Sequence, residues 1–490
     1  MSEPHGVVFP RVGEHRSTTT TGRAIVAAAL RAADPVGAAS AERETNWRHA
    51  YLPHFRRLVE AGLQSPEAAR AIAHDGLVAL HEHMCWSDVR GDHPLHVAFE
   101  DAPLEVSDAP SALEVETVLG QGEPERSLSI PYAGHRLAGD DLRRRLASWV
   151  EAGVVEPSCA EAVGRVVDNP DWLDLSDQTV VVLGAAAEMG PLRSLLRWGA
   201  NVAAVDLPRH DLWSRLLRET HQLAGSITLP VRPGDGDVAR RAGGDLIHDL
   251  GSVTRWVESI EGPIVLGNYV YADGATNVRV STAVDALTQR VIRTKGQDEV
   301  ALAFLATPTD VFAVPAETVE RSAANYAGRH TAKLVRAPLR ALSGGALFRR
   351  NYVPGADPGL NDSVVVQQGP NYLLAKRLQR WRATDYRAQG GLASFNVAPP
   401  TRTRSVVKNR ALAAAYAGAH RFGIEVFEPG TANTLMAALL VHDLRAGQPA
   451  HEHPWQDEAY AAAHGGLWTT AYDPRSVLGV AALLGFAVAR

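Results

Sequence analysis

The sequence predicts an α/β protein: a doubly wound, mainly parallel sheet over about 174–490, a mainly helical region over 23–173, and a flexible tail over 1–22. Three observations carry this. Short apolar runs without polar alternation, such as "TVVVL" and "EVALAFLAT", read as strands buried on both faces. Helical patterns lie between these runs, as the crossovers of a parallel sheet require. The hydrophobic spacing also changes near residue 173, from a helical period before it to alternating strands and helices after it.

Taken in order, residues 1–22 are polar and carry the low-complexity run "STTTTG", the pattern of a mobile tail. From 23 to 90, "GRAIVAAALRAA" and "PHFRRLVEAGLQSPEAARAIAHDGLVALHEHM" have helical spacing. Residues 91–130 are richer in Pro, Asp and Glu and read as irregular structure or short strands. Helical signal returns in "GDDLRRRLASWVEAGVVEPSCAEAVGRVV" and breaks at Asn169-Pro170. A buried strand over Thr179 to Leu183, a glycine turn, an amphipathic helix, Gly199 and a second strand ending at Asp206 follow. Later strand candidates are "GPIVLGNYVY", "EVALAFLAT", "DSVVVQQ" and "GLASFNVAP", and an apolar helix closes the chain.

At 490 residues the chain exceeds one ordinary core. Its 49 basic and 55 acidic side chains, net −6, do not point to a nucleic-acid or anionic-membrane partner. A small-molecule partner is expected, and a homo-oligomer stays open. Only Cys85 and Cys159 occur, which argues against a disulfide framework and for a reducing compartment. With no apolar stretch of about 20 residues, the expected location is the cytoplasm. The pairs His81/His83 (with Cys85) and His451/His453 lack the spacing of a recognised zinc site, so no metal is expected. Arg402, Arg404, Lys408 and Arg410 form a basic cluster that suits either a substrate anion or a solvated face.

Strand, Gly184, helix, strand, Asp206 is the order a dinucleotide requires. The glycine allows a tight turn, the helix start offers free N–H groups to a pyrophosphate, and the acid accepts from ribose hydroxyls. The turn spans Gly184, Ala185, Glu188, Met189 and Gly190, with Glu188 standing where such loops often have glycine; it should point outward, or the loop should differ from the usual one. This is a Rossmann-like pattern for NAD or NADP. Asp206 favours NAD, since it repels a 2′-phosphate, although Arg209 stands close by. Asp249 is a further acidic candidate for the cofactor. S-adenosylmethionine-dependent methyltransferases share this order and remain an alternative, as does a non-catalytic nucleotide-binding protein.

Tyr372 and Lys376 lie four apart, on one face of a helix. A phenol is a poor acid or base near neutrality until an ammonium brings its pKa towards the working range. The chain has only four lysines, so a lysine at this spacing is notable. Around the pair, "DSVVVQQ", "YLLAK" and "FNVAPPTRT" follow one another. In this order the sequence resembles the short-chain dehydrogenase/reductase family. "LDLSDQTVVVLGA" is similar to that family's opening, and "PAETVERSAANYAGRHTAKL" to its asparagine-bearing helix. The resemblance covers 173 to about 405 in patches. It implies hydride transfer between a nicotinamide and a carbonyl or alcohol, with Tyr372 handling the proton. Lys376 would then tune Tyr372 and hold the nicotinamide ribose, Asn325 would support a proton relay, and Pro399, Thr401 and Thr403 would face the nicotinamide. Two departures stand out. Pro400 replaces a family glycine, and Gln367 or Gln368 stands at the strand end where the family has its serine upstream of the tyrosine.

Overall fold

The computed structural model describes residues 5–100, 113–328 and 330–488. Its centre is a seven-stranded sheet: β1 (Glu114–Leu119), β2 (Thr179–Leu183), β3 (Asn201–Val205), β4 (Ser226–Val231), β5 (Ile264–Asn268), β6 (Val300–Ala306) and β7 (Ala393–Val397). Across the sheet the order is β7-β6-β5-β2-β3-β4-β1. All neighbours pair in parallel except β1, which runs antiparallel on β4. From β2 the chain winds outward through β3 and β4, then returns to the other side of β2 and winds outward through β5, β6 and β7. The winding therefore reverses between β2 and β5, where a crevice opens outside the carboxyl ends of the strands.

Alternation along each strand feeds two cores. Val181, Leu183, Ala203, Val205 and Leu266 join Ile25, Trp47, Phe55, Leu287 and Leu374 on one face. Val180, Val182, Val202, Ala204 and Val265 join Trp149, Leu195, Trp213 and Leu435 on the other. Burial on both faces is why these strands are unbroken apolar runs.

The N-terminal helices share the first of these cores with the sheet. Helices α1 (Thr18–Leu30), α2 (Trp47–Gly62) and α3 (Pro66–His83) pack on α4 (Gly369–Ala388). A Cβ on Gly76 of α3 would stand 2.5 Å from the Trp381 ring, so only glycine allows this approach. Helix α4 is buried almost all round, and its buried arginines are paired with carboxylates. Arg377 and Arg380 donate to Asp310 at 2.9 and 3.0 Å, and Arg382 to Asp285 at 2.7 Å. Charges so far from water persist only when matched.

Several expectations need correction. Residues 1–4 of the expected 1–22 tail lie outside the described residues. Residues 6–16 instead contribute a strand, Gly6–Val8, and a small hairpin, while "TTTTG" opens α1. Ser17 caps that helix, its hydroxyl accepting from the Thr20 amide at 3.1 Å; a β-branched polar run is tolerable in a first turn so capped. Within 91–130, residues 101–112 lie outside the described residues, and β1 forms the sheet edge. "DSVVVQQ" is not a strand of the sheet. Strand Gly359–Asp362 ends at its aspartate and pairs with Val311–Val314, and Val366–Gln368 is a 3-10 turn. Gln368 makes that turn by accepting from the Val365 amide at 2.9 Å.

Candidate active site

At the carboxyl ends of β6 and β7 the chain encloses a cavity of about 520 Å³. Helix α4 begins at its wall, with Tyr372 in the first turn and Lys376 in the second, both lining it. The Lys376 amine donates to the Leu305 carbonyl at 3.3 Å and to Gln379 Oε1 at 3.1 Å. Gln379 in turn donates to Asn268 Oδ1, at the end of β5, at 3.2 Å. Burial lowers the Lys376 pKa from 10.5 to about 8, with Asp310 acting against it. Contrary to the expectation that Lys376 would bring it down, the Tyr372 phenol is raised: burial lifts it and the Asp310 charge adds to this, while hydrogen bonds with Thr307 and Gln368 oppose it. Each side chain is partly exposed only because it faces the cavity.

The polar end of the cavity is a short chain of groups. The Thr307 and Thr309 hydroxyls lie 2.8 Å apart, and Gln368 Nε2 donates to Thr309 Oγ1 at 2.8 Å. Thr307 and Thr309 escaped the sequence reading; the signal is the polar "TPT" that ends the apolar run of β6. Tyr416 was also missed. It lines the same space, and burial pushes its phenol to about 12. Tyr271 packs edge-on to Tyr372, with ring centroids 6.3 Å apart.

Of the expected site residues, the structure gathers Tyr372, Lys376, Gln367, Met189, Pro399, Thr401 and Thr403 around this one cavity. Gln367 is exposed at its edge, and the bonded glutamine is its neighbour Gln368. Thr401 is tied by its hydroxyl to the Pro399 carbonyl at 2.8 Å. Asn325 is not brought in. It is exposed on the Ala316–Gly328 helix, donating to the Thr469 carbonyl at 2.8 Å. That helix follows the Val311–Val314 strand, which lies outside the main sheet, and is carried away from β6.

The glycine turn lies beside the cavity rather than in its wall, apart from Met189. Gly184 has φ +87°, and a Cβ there would stand 2.9 Å from the Tyr269 backbone, so the turn needs glycine. The Gly184 and Ala185 amides donate to the Val205 carbonyl at 2.9 and 3.1 Å, and Gly190 to Ala187 at 3.1 Å. Among the described residues, the Glu188 and Met189 amides have no acceptor. Glu188 is partly exposed and turned to Arg404. Its carboxylate takes the Arg404 amide at 2.8 Å and that residue's guanidinium at 3.0 Å, which draws its charge away from the turn. Asp206 accepts from the Ala186 and Leu207 amides, each at 2.8 Å, and stays partly exposed; burial raises its pKa. Arg209 is engaged by Asp211 at 2.7 Å. Asp249 stands at the start of the Leu250–Glu258 helix, accepting from the Asp245 amide at 3.0 Å.

Elsewhere, histidines meet carboxylates: His81 with Asp285 at 2.7 Å and His451 with Asp457 at 2.7 Å. Among the described residues no group of three or more His, Cys, Asp or Glu is arranged to hold a metal ion, and no helix is long and apolar enough to cross a membrane. No protein-family model and no curated protein matches the chain.

Proposed function

We propose that this chain is a nicotinamide-dinucleotide-linked oxidoreductase of atypical short-chain dehydrogenase/reductase type, reducing a carbonyl compound. One observation carries the reading: Tyr372 and Lys376, a helical turn apart, face one cavity at the carboxyl ends of a sheet whose winding reverses beside it. The parallel strands follow the 3-2-1-4-5-6 order of doubly wound, Rossmann-like dinucleotide-binding sheets.

The residues of the glycine turn fit the cofactor. The free amides of Glu188 and Met189 would meet its pyrophosphate, and Asp206 has carboxylate lone pairs left for ribose hydroxyls. Asp206 favours NAD over NADP, since its carboxylate repels a 2′-phosphate, with Arg209 and Arg215 close enough to temper that repulsion. When bound, a reduced nicotinamide supplies two electrons and one hydrogen as hydride to the carbonyl carbon. Tyr372 supplies the remaining proton from its phenol to the carbonyl oxygen, which completes the alcohol. A phenol raised by burial is held protonated, which suits an acid and the reductive direction. Lys376, as ammonium, stabilises the phenolate left behind until solvent reprotonates it.

Calorimetric titration of the full chain with NAD, NADP and S-adenosylmethionine tests the reading. Binding of NAD, with weaker or no binding of NADP, is expected. Binding of S-adenosylmethionine alone would overturn it in favour of a methyltransferase, which shares the order from Gly184 to Asp206. With a turned-over carbonyl substrate, Tyr372→Phe should lower kcat by about 10²–10⁴-fold and leave dinucleotide affinity unchanged. Unchanged turnover would remove Tyr372 from the chemistry.

A further inference from the structure

The two ends of the 520 Å³ cavity differ in chemistry. Beside the sheet stand the hydroxyls of Tyr372, Thr307 and Thr309 and the amide of Gln368. The opposite wall is mostly hydrocarbon, with the Tyr416 phenol set in it. Leu412, Ala415 and Ala419 come from the Arg410–Ala419 helix, Val477 and Ala481 from the Pro474–Val488 helix, and Phe422 from the turn between them and the sheet.

Charge is scarce. Among the described residues Lys376 and Asp273 are the charged lining residues and no guanidinium contributes, although the chain holds 49 Lys and Arg of which only four are lysine. The Lys376 amine is taken up by Leu305 and Gln379, and Asp273 is an exposed residue accepting from the Tyr271 hydroxyl at 3.1 Å. A substrate carboxylate or phosphate therefore meets no arginine fork of the kind that recognises such groups. The volume lies in the range that encloses a drug-sized molecule, larger than a short keto acid needs.

We infer that the cavity takes an uncharged, lipophilic aldehyde or ketone, with its carbonyl oxygen at the Tyr372 end and its hydrocarbon body against the two C-terminal helices. The inference rests on the oxidoreductase reading for its chemistry but concerns binding alone. Apart from the Tyr416 phenol this wall offers a ligand no hydrogen-bonding group, so each additional methylene laid against it leaves water for apolar surface. At about 0.8 kcal/mol per methylene, affinity rises about fourfold per carbon.

The test is a homologous series, pentan-2-one through nonan-2-one, bound to the full chain without cofactor and followed by ligand-observed NMR. Affinity is expected to rise about fourfold per methylene, and hexanoate is expected to bind more weakly than hexan-2-one. Leu412→Trp should shorten the series by filling the apolar end, at unchanged NAD affinity. If that variant fails to fold, Val477→Phe gives the same readout from the other helix. A flat dependence on chain length would overturn the inference, as would tighter binding of hexanoate or indifference of the series to both folded variants. A steep series in a chain that binds no dinucleotide removes the oxidoreductase reading and leaves the lipophilic site. Dinucleotide binding with a flat series removes only the site proposed here.

Discussion

Lys376 carries a clear tension at the residue scale, because its amine lies within the protein with only a carbonyl and an amide oxygen as partners. The fall of its pKa from 10.5 to about 8 corresponds to a cost of about 3 kcal/mol while it is charged. The folded value lies below the unfolded one, so between about pH 8 and 10.5 the unfolded chain binds more protons. Stability from this group therefore rises with pH across that window, and its cost is fully present below about 8. Lys376→Met should accordingly stabilise the chain at pH 7 by about 2–3 kcal/mol, and the gain should shrink by pH 10. Urea unfolding of both proteins at the two pH values checks this; an equal gain at both would show that the ammonium is not the cause. Turnover, by contrast, should fall above about pH 8 as the ammonium is lost. The Tyr372/Lys376 pair was legible because four-residue spacing on a helix is a local fact. Thr307 and Thr309 were not, since two threonines after an apolar strand acquire meaning only when the end of β6 meets the start of α4. Asn325 was misread for the opposite reason: a similar local sequence sits on a helix that an inserted strand pair carries elsewhere.

At the scale of elements, α4 does two jobs. One end presents the candidate acid, and the rest locks the N-terminal helices to the sheet through buried ion pairs. Asp285 shows how tightly this is matched. Arg382 and His81 both bond it, and despite burial they hold its carboxyl well below the usual carboxylate range. Arg382→Leu leaves a buried carboxylate with a histidine alone, and should cost about 3–5 kcal/mol in denaturant unfolding. A loss under 1 kcal/mol would mean that the site hydrates or rearranges. The strand and helix alternation of 174–306 was readable because doubly buried strands are continuous apolar runs. "DSVVVQQ" has the same composition, yet Gln368 turns back onto the Val365 amide and makes a turn of it. Valine content alone does not separate a sheet strand from the approach to a helix.

At the scale of the whole molecule, nothing local in the sequence revealed how the N-terminal helices join the rest. Trp47, Phe55 and Leu80 belong to the same core as Val181 and Leu374. Limited proteolysis is therefore expected to yield no persistent fragment resembling 174–490, because removing α1, α2 and α3 uncovers that core. A stable fragment of that span would contradict this.

The Arg410–Ala419 and Pro474–Val488 helices meet at Gly418 and Gly485, where any Cβ would strike the carbonyls of Ala481 and Ala414. Backbone rests on backbone, with no side chain between to let one slide along the other. The two behave mechanically as a single plate. Gly418→Ala or Gly485→Ala would force the two helices apart and should therefore lower the melting temperature, a loss absent if the contact is not held.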